Sequence, residues 1–239
     1  MFNVIRSLNP YLFYTFDEGP ATTTVIDRSG NGRNGTNTAS AVAVLQAAPG
    51  HGIRSAYGFD GSDSDHITTN ITTNFTTEFS FCALIYPTST PADRDTIWSK
   101  NSYYATGTSD FPISLFRNSS GEISFALDSG GNFSADVTLN SGIAAPLNKW
   151  TFVAGVYRAN GECSLWQNDE KAIFTNIAFT VSSNSRNWVI GRESAPNGGG
   201  VGQSGFNGRI TYPALWNRAL SDFELTALSQ SWLWNAVVI

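Results

Sequence analysis

About ten short apolar and aromatic segments recur along this chain, among them YLFYTF, SAYGFD, EFSFCALIYP, FPISLFR, EISFALD and WTFVAGVYR, and most end in Gly, Pro, Asn, Asp or Ser. DTIWSK, CSLWQND, NWVIGR and GRITYPALWN follow the same pattern. Strands of that number imply a double sheet over a shared core. In WTFVAGVYR, Thr151, Val153, Gly155 and Tyr157 share one face and Phe152, Ala154 and Val156 the other, which predicts an inner strand with little exposed surface. The Asn160-Gly161 pair that follows predicts a hairpin into CSLWQ, because both residues tolerate positive φ. The 239 residues fit one large β domain, and a content of 14% charged against 13% aromatic residues favours strands and polar turns over amphipathic helices.

The formal net charge is −5 and the basic residues are scattered, which excludes an electrostatic footprint for nucleic acid or anionic lipid. No apolar run approaches the roughly 20 residues of a spanning helix, so no membrane insertion is expected. The opening MFNVIRSLNPYLFYTF lacks a basic n-region and is interrupted by Arg6, Asn9 and Pro10, so no signal peptide is expected. In that setting the N-x-[ST] triplets at Asn34, Asn70, Asn74, Asn118 and Asn132 read as composition and not as glycan sites. Cys82 and Cys163 lie in apolar strand segments and read as small buried hydrophobes; a disulfide between them is open but not expected.

The stretch VIDRSGNGRNGT contains Gly30, Gly32 and Gly35 in a G-x-G-x-x-G spacing. A nucleotide cradle needs a strand before it and a helix opening on it, within an alternating βα pattern. Thr22 to Ile26 suits a strand and Ala39 to Ala48 is alanine-rich, but the alternation is missing elsewhere. The glycines are therefore read as residues of consecutive tight turns with positive φ.

A helix is predicted at the C-terminus. Ser221 and Glu224 form a capping-box pair, Leu220 can staple onto Leu225, and Leu225, Leu228 and Trp232 make one apolar stripe that should dock on the sandwich. The reading is thus one domain over residues 1–228 and an apolar tail over 229–239, with a Gly-rich excursion from Ala195 to Gly205.

Taken in order, YTFDEG with VIDRSGNGRNGT, YGFDGSDSDHITT, FTTEFSFCALIYPTS, NKWTFVAGVYRANGECSLWQNDE, WVIGRE and GFNGRITYPALWNRALSDFEL resemble the laminin-G-like, concanavalin-A-like lectin superfamily, in particular the type found in bacteriophage virion proteins. The resemblance implies an all-β, antiparallel two-sheet jelly-roll sandwich with a short C-terminal helix. It also implies a role among binding or structural domains: a non-enzymatic virion surface component, a capsid decoration or tail-associated protein, assembled in the host cytoplasm and offering a lectin-like domain to glycans. Expected partners are other virion proteins or further copies of the chain, and glycans. The alternatives are a free-standing carbohydrate-binding module and, less favoured, a glycosidase.

Many relatives hold a calcium ion, and calcium takes six to eight oxygen ligands. Asp17, Glu18, Asp27 and Asn31 in the opening turns, and Asp60, Asp63 and Asp65 in FDGSDSDH, are the candidate ligands. Thr211 stands where the family often has an acidic residue, and the competing reading gives Asp27 and Asn31 to Asx turns and Asp60 to a hairpin cap. For glycans, Trp98, Tyr103 and Tyr104 with Asn101 and Asp110 are the candidate platform, against a reading in which Trp98 is core and the tyrosines are ordinary surface. The family's glycosidase motifs, Glu-x-Asp-x-x-Glu or Glu-x-Asp-x-Glu, do not occur; the nearest pairs are Asp63 with Asp65 and Asp93 with Asp95. His51 and His66 lack a Ser or Cys arrangement that would make a nucleophile. The tail, with Trp232, Leu233, Trp234, Val237 and Ile239, either covers the chain's own sheet or seats in a partner.

Overall fold

The computed structural model describes residues 1–19, 22–38, 42–44, 55–62, 64–102, 110–129, 136–174, 177, 180–193 and 204–233, with backbone alone for 42–44, 101, 102, 110–112 and 233. In chain order the first half comprises α1 (Phe2–Ser7), β1 (Leu12–Phe13), β2 (Thr24–Val25), β3 (Gly35–Asn37), β4 (Val42–Val44), β5 (Ala56–Asp60), β6 (Ile67–Thr68), β7 (Phe79–Pro87) and β8 (Arg94–Ser102). The second half comprises β9 (Asp110–Asn118), β10 (Glu122–Leu127), β11 (Val137–Ala144), β12 (Thr151–Tyr157), β13 (Cys163–Gln167), β14 (Glu170–Phe174), β15 (Val189–Ile190), β16 (Asn207–Trp216) and α2 (Asp222–Leu233).

Two sheets result, and every pairing between described strands is antiparallel. Sheet A runs β14-β13-β12-β7-β16-β5-β4, with β1 also on β16; sheet B runs β11-β10-β9-β8-β15-β6-β3-β2. The closing strand β16 serves two partners in succession: residues 207–210 pair with β5, and Ala214 and Leu215 pair with β1. The register shifts between Thr211 and Ala214, where Tyr212 takes φ 51 and Pro213 has no N–H to give a ladder.

Strand alternation sorts the apolar side chains into two cores. Phe79, Phe81, Ala83 and Ile85 of β7 meet Ile113, Leu115, Ile123, Phe125 and Leu127 of sheet B between the sheets. Cys82 and Leu84 of β7, with Phe152, Ala154 and Val156 of β12, point to the other face of sheet A, where Ile5, Leu220, Leu225, Leu228 and Trp232 cover them. The expected inner strand β12 is thus buried along its whole length. Cys82 and Cys163 fall in different cores and are free thiols.

The helix at the C-terminus is capped as its sequence predicts. The Glu224 N–H donates to Ser221 Oγ at 3.3 Å and the Ser221 N–H to Glu224 Oε2 at 2.8 Å, while Leu220 and Leu225 are both buried. Arg218 grips the same carboxylate at 2.7 Å, and these contacts hold the Glu224 pKa down at about 2. A carboxyl depressed below its unfolded value stabilises the fold above that value, and this contribution is lost as pH falls through about 2. Glu224→Gln is therefore expected to cost about 1 kcal/mol at neutral pH and to flatten the acid limb of a stability-against-pH curve, read by urea denaturation.

The Gly-rich motif is a turn. Gly30 and Gly32 take φ 93 and 70, but Gly35 does not have positive φ; it lies in β3 and is small because a Cβ there would stand 2.6 Å from the Tyr14 hydroxyl. The hairpin glycine Gly161 takes φ 76, whereas Asn160 stays at negative φ, so a single left-handed residue closes that turn. Elements the sequence did not announce are short or polar: α1, β6, β11 and β14. The alanine-rich stretch near residue 43 contains strand β4 instead of a helix.

Candidate functional site

The expected aromatic platform does not form around Trp98. The ring is fully buried between the sheets, 6.2 Å from Trp188 and 6.3 Å from Phe81 between centroids, and its Nε1 donates to the Cys82 carbonyl at 3.1 Å. A β-bulge between Thr96 and Trp98 turns the indole inward, so Trp98 is a core residue and not a stacking surface. Asn101 lies in β8, and Asp110 in β9 pairs with Ser102. Tyr103 and Tyr104 lie outside the described residues.

The acidic candidates serve local turns. Asp27 accepts from the Phe13 and Ser29 amides and the Arg33 amide, as well as from the Ser29 hydroxyl, and Asn31 donates to the Pro10 and Tyr11 carbonyls. Asp17 pairs with Arg28 at 2.7 Å and takes the Thr15 hydroxyl. Asp60 accepts the Ser62 amide, and Asp65 accepts the Asp60 amide. Asp63 is outside the described residues. Among the described residues no group of three His, Cys, Asp or Glu converges as metal ligands.

The tail begins on the chain's own body. Trp232 is 5% exposed and packs in the core on the outer face of sheet A, so it anchors this domain and not a partner. Leu233 is described as helix backbone, and Trp234, Val237 and Ile239 lie outside the described residues.

The outer face of sheet B is open in part: Thr24, Thr36, Thr138 and Asn140 are exposed and Thr68 and Phe116 half-buried, whereas Thr96, Ser99, Ser114, Ser124, Ala126 and Val189 are buried. Direct cross-strand pairing aligns Thr24, Thr36, Thr68, Val189, Ser99, Ser114, Ala126 and Thr138 in one row across all eight strands. Apart from Val189 and Ala126 that row is hydroxylated, and the opposite face of the same strands carries the core. Beside it runs a second row, Thr96, Phe116, Ser124 and Asn140. Phe116 is half-buried there, with the Arg94 guanidinium 5.1 Å from its ring centre and Glu193 holding Arg94 at 3.1 Å. Around the ring, Thr96 Oγ1 and Ser114 Oγ are buried and make no hydrogen bond. A buried hydroxyl without a partner costs about 1–3 kcal/mol, and Thr151, Ser182 and Ser229 carry others like this pair.

The β2 end of the row is open. Thr24 there lines a depression of about 480 Å³ together with Glu18, Thr22, Thr23, Ile26 and Arg28. The Glu18 carboxylate is held in place by the Ile26 amide at 2.9 Å and the Tyr57 hydroxyl at 3.4 Å, and Ile26 is 39% exposed. A fixed carboxylate, a guanidinium, hydroxyls and one apolar ledge are the elements of a site for a hydroxyl-rich ligand.

A second ion pair is not part of this surface. Asp95 and Arg117 face inward, with side chains 6% and 1% exposed, and meet at 2.7 Å. Burial raises the Asp95 pKa to about 6 against the opposing pull of Arg117.

Two antiparallel sheets packed face to face, with helices on the outer face of one, define a jelly-roll sandwich. The chain belongs to the Concanavalin A-like lectin/glucanases superfamily, whose family model matches residues 60–226. Among curated proteins none matches it in sequence. Domain 4 of AbnA, a GH43 extracellular arabinanase from Geobacillus stearothermophilus solved with arabinotriose, is similar at TM-score 0.67 and 16% identity, over 92% of this chain and 98% of that one. The binding domain of Paraclostridial Mosquitocidal Protein 1 is similar at TM-score 0.67 and 12% identity, over 93% of this chain and 52% of that one. The botulinum neurotoxin serotype D binding domain gives TM-score 0.65 and 14% identity, over 92% and 51%. The chain thus spans about half the length of these two toxin domains.

Proposed function

We propose that this chain is a non-enzymatic carbohydrate-recognition domain that binds a neutral oligosaccharide along the outer face of sheet B. The observation that carries it is what this face leaves accessible: the half-buried Phe116 ring, the exposed Thr24 and Thr36, and the depression lined by Glu18, Arg28 and the Ile26 ledge. A sugar chain offers apolar ring faces to the phenyl group and to Ile26, and hydroxyls to the exposed threonines, Glu18 and Arg28. The open row from Thr68 to Thr24, ending at Glu18 and Arg28, then extends the contact to further residues of the chain of sugars. The arabinotriose bound to the similar AbnA domain supports a carbohydrate in this fold. A non-catalytic reading is supported by Asp95, which is spent on Arg117 inside the sandwich and leaves Asp93 without a carboxylate partner from that pair.

The test is a glycan array followed by calorimetry on the best neutral ligand. Phe116→Ala and Glu18→Gln are each expected to weaken binding about tenfold, the loss of roughly 1.4 kcal/mol. Wild-type affinity in both variants sinks the reading, as does product release from the glycan.

For the setting, the display of such a domain on a virion surface is the reading favoured here, with the sequence resemblance behind it. The terminal helices α1 and α2 touch each other and lie on sheet A, opposite the proposed glycan face. Trp216 Nε1 and Arg218 both donate to the Leu8 carbonyl, which ties the two ends of the domain together. A tether at that end leaves sheet B facing outward. A chain ending at Leu233 keeps Trp232 and should stay folded; light scattering on it and on the full chain then reads whether residues 234–239 drive assembly, and identical masses at every concentration count against the anchoring role.

A further inference from the structure

Lys100 stands on the inward face of β8, opposite Ile113, and is 1% exposed. Its Nζ donates to the Thr72 carbonyl at 3.0 Å, the Arg186 carbonyl at 2.5 Å, and the Asn184 carbonyl and Oδ1 at 3.4 and 3.3 Å. Every one of these partners is a neutral carbonyl or amide oxygen. That is the donor chemistry of a hard-cation site and not of an ion pair. The oxygens belong to two loops, one after β6 and one before β15, which also bind each other. Asn74 Nδ2 donates to the Asn184 carbonyl at 3.0 Å, the Asn184 amide to Asn74 Oδ1 at 3.1 Å, and Trp188 Nε1 to the Thr73 carbonyl at 3.0 Å. The first loop starts at Asn70, whose Nδ2 reaches the Asn34 carbonyl at 3.1 Å and Thr36 Oγ1 at 3.3 Å on the outer row of sheet B.

We infer that Lys100 is a built-in cation: its ammonium fills an all-oxygen cage that ties the two loops together, and the cage is a site for a small free ammonium ion once the side chain is removed. The geometry accounts for a lysine that is otherwise costly, since a buried ammonium without a carboxylate must be repaid by close, fixed oxygens. Burial does lower its pKa to about 8, which leaves the amine mostly protonated at neutral pH. The inference stands apart from the glycan reading, because it concerns the loops and not the ligand.

Lys100→Ala opens the cage and keeps the oxygens. Thermal unfolding of this variant is compared in ammonium or methylammonium chloride and in tetramethylammonium chloride at equal ionic strength, with wild type as control. A rise in Tm of about 3–5 °C with the small ammonium ions, absent in the wild type and absent with the bulky cation, is the expected result. Lys100→Met, whose stem refills the space, should be destabilised and show no such rise. Should Lys100→Ala fail to fold in tetramethylammonium chloride, folding restored by ammonium reads out the same rescue. The inference is overturned by equal melting, or equal failure to fold, in both salts, or by an equal response of Lys100→Met.

Discussion

Arg117→Met is expected to destabilise the domain by about 3–5 kcal/mol, because it strands the Asp95 carboxylate inside the sandwich. The two groups meet at 2.7 Å with side chains 1% and 6% exposed, so neither can turn to water when its partner is lost. For a domain of this length the loss corresponds to a fall in Tm of roughly 6–20 °C. Replacing both partners with apolar residues of similar volume should recover most of it, since the desolvation of two charges disappears along with their attraction. The pH dependence has a definite sign. Asp95 is raised from 3.8 to about 6 in the fold, so its contribution to stability is full below 3.8 and is lost as pH rises through about 6. The deficit of Arg117→Met should accordingly shrink in acid, where a neutral carboxyl needs no counter-charge. Urea denaturation of the single and double variants at roughly pH 3 and pH 7, either side of that window, checks both statements.

Trp98→Ala is the second change with a large expected effect. It removes the indole from contact with Phe81 and Trp188 and strands the Cys82 carbonyl, for a cost of about 3–5 kcal/mol. Trp98→Phe should cost less. Measured below its lowered melting temperature, Trp98→Ala should bind glycan as the wild type does, because no part of the ring reaches the surface. Phe116→Ala should show the reverse: a stability loss of about 1 kcal/mol and a clear loss of affinity. If Trp98→Ala loses affinity while folded and Phe116→Ala does not, the placement of the site on Phe116 is wrong.

The contrast between these two aromatics explains what a sequence reveals here. Strand existence was legible, because apolar segments bounded by Gly, Pro and Asn fix it locally; so was the Ser221–Glu224 cap, which depends on a spacing of three residues. Which way a side chain points was not. Thr96 and Trp98 are two apart and would share a face in a regular strand, but the bulge between them sends one outward and the other into the core. Phe116 drew no notice in FPISLFR, and its role depends on Thr96, Ser124 and Arg94, which only strand pairing brings beside it. Arg117 and Asp95 are 22 residues apart and become partners through the β8–β9 register alone. The acidic turn residues were visible as a group, but two chemistries compete for such a group. The hydrogen bonds of Asp27 and Asp60 show turns, one of the two readings that the sequence offers for them.

The central claim is that an oligosaccharide lies on the outer face of sheet B. It is tested most directly by titrating ¹⁵N-labelled protein with the best neutral oligosaccharide from the array and following every backbone amide by NMR. Shifts gathered on Phe116 and along Thr68, Thr36 and Thr24 to Glu18 and Arg28 are the result predicted. Saturable shifts confined to sheet A, or to the α1 and α2 helices packed on it, would contradict the account.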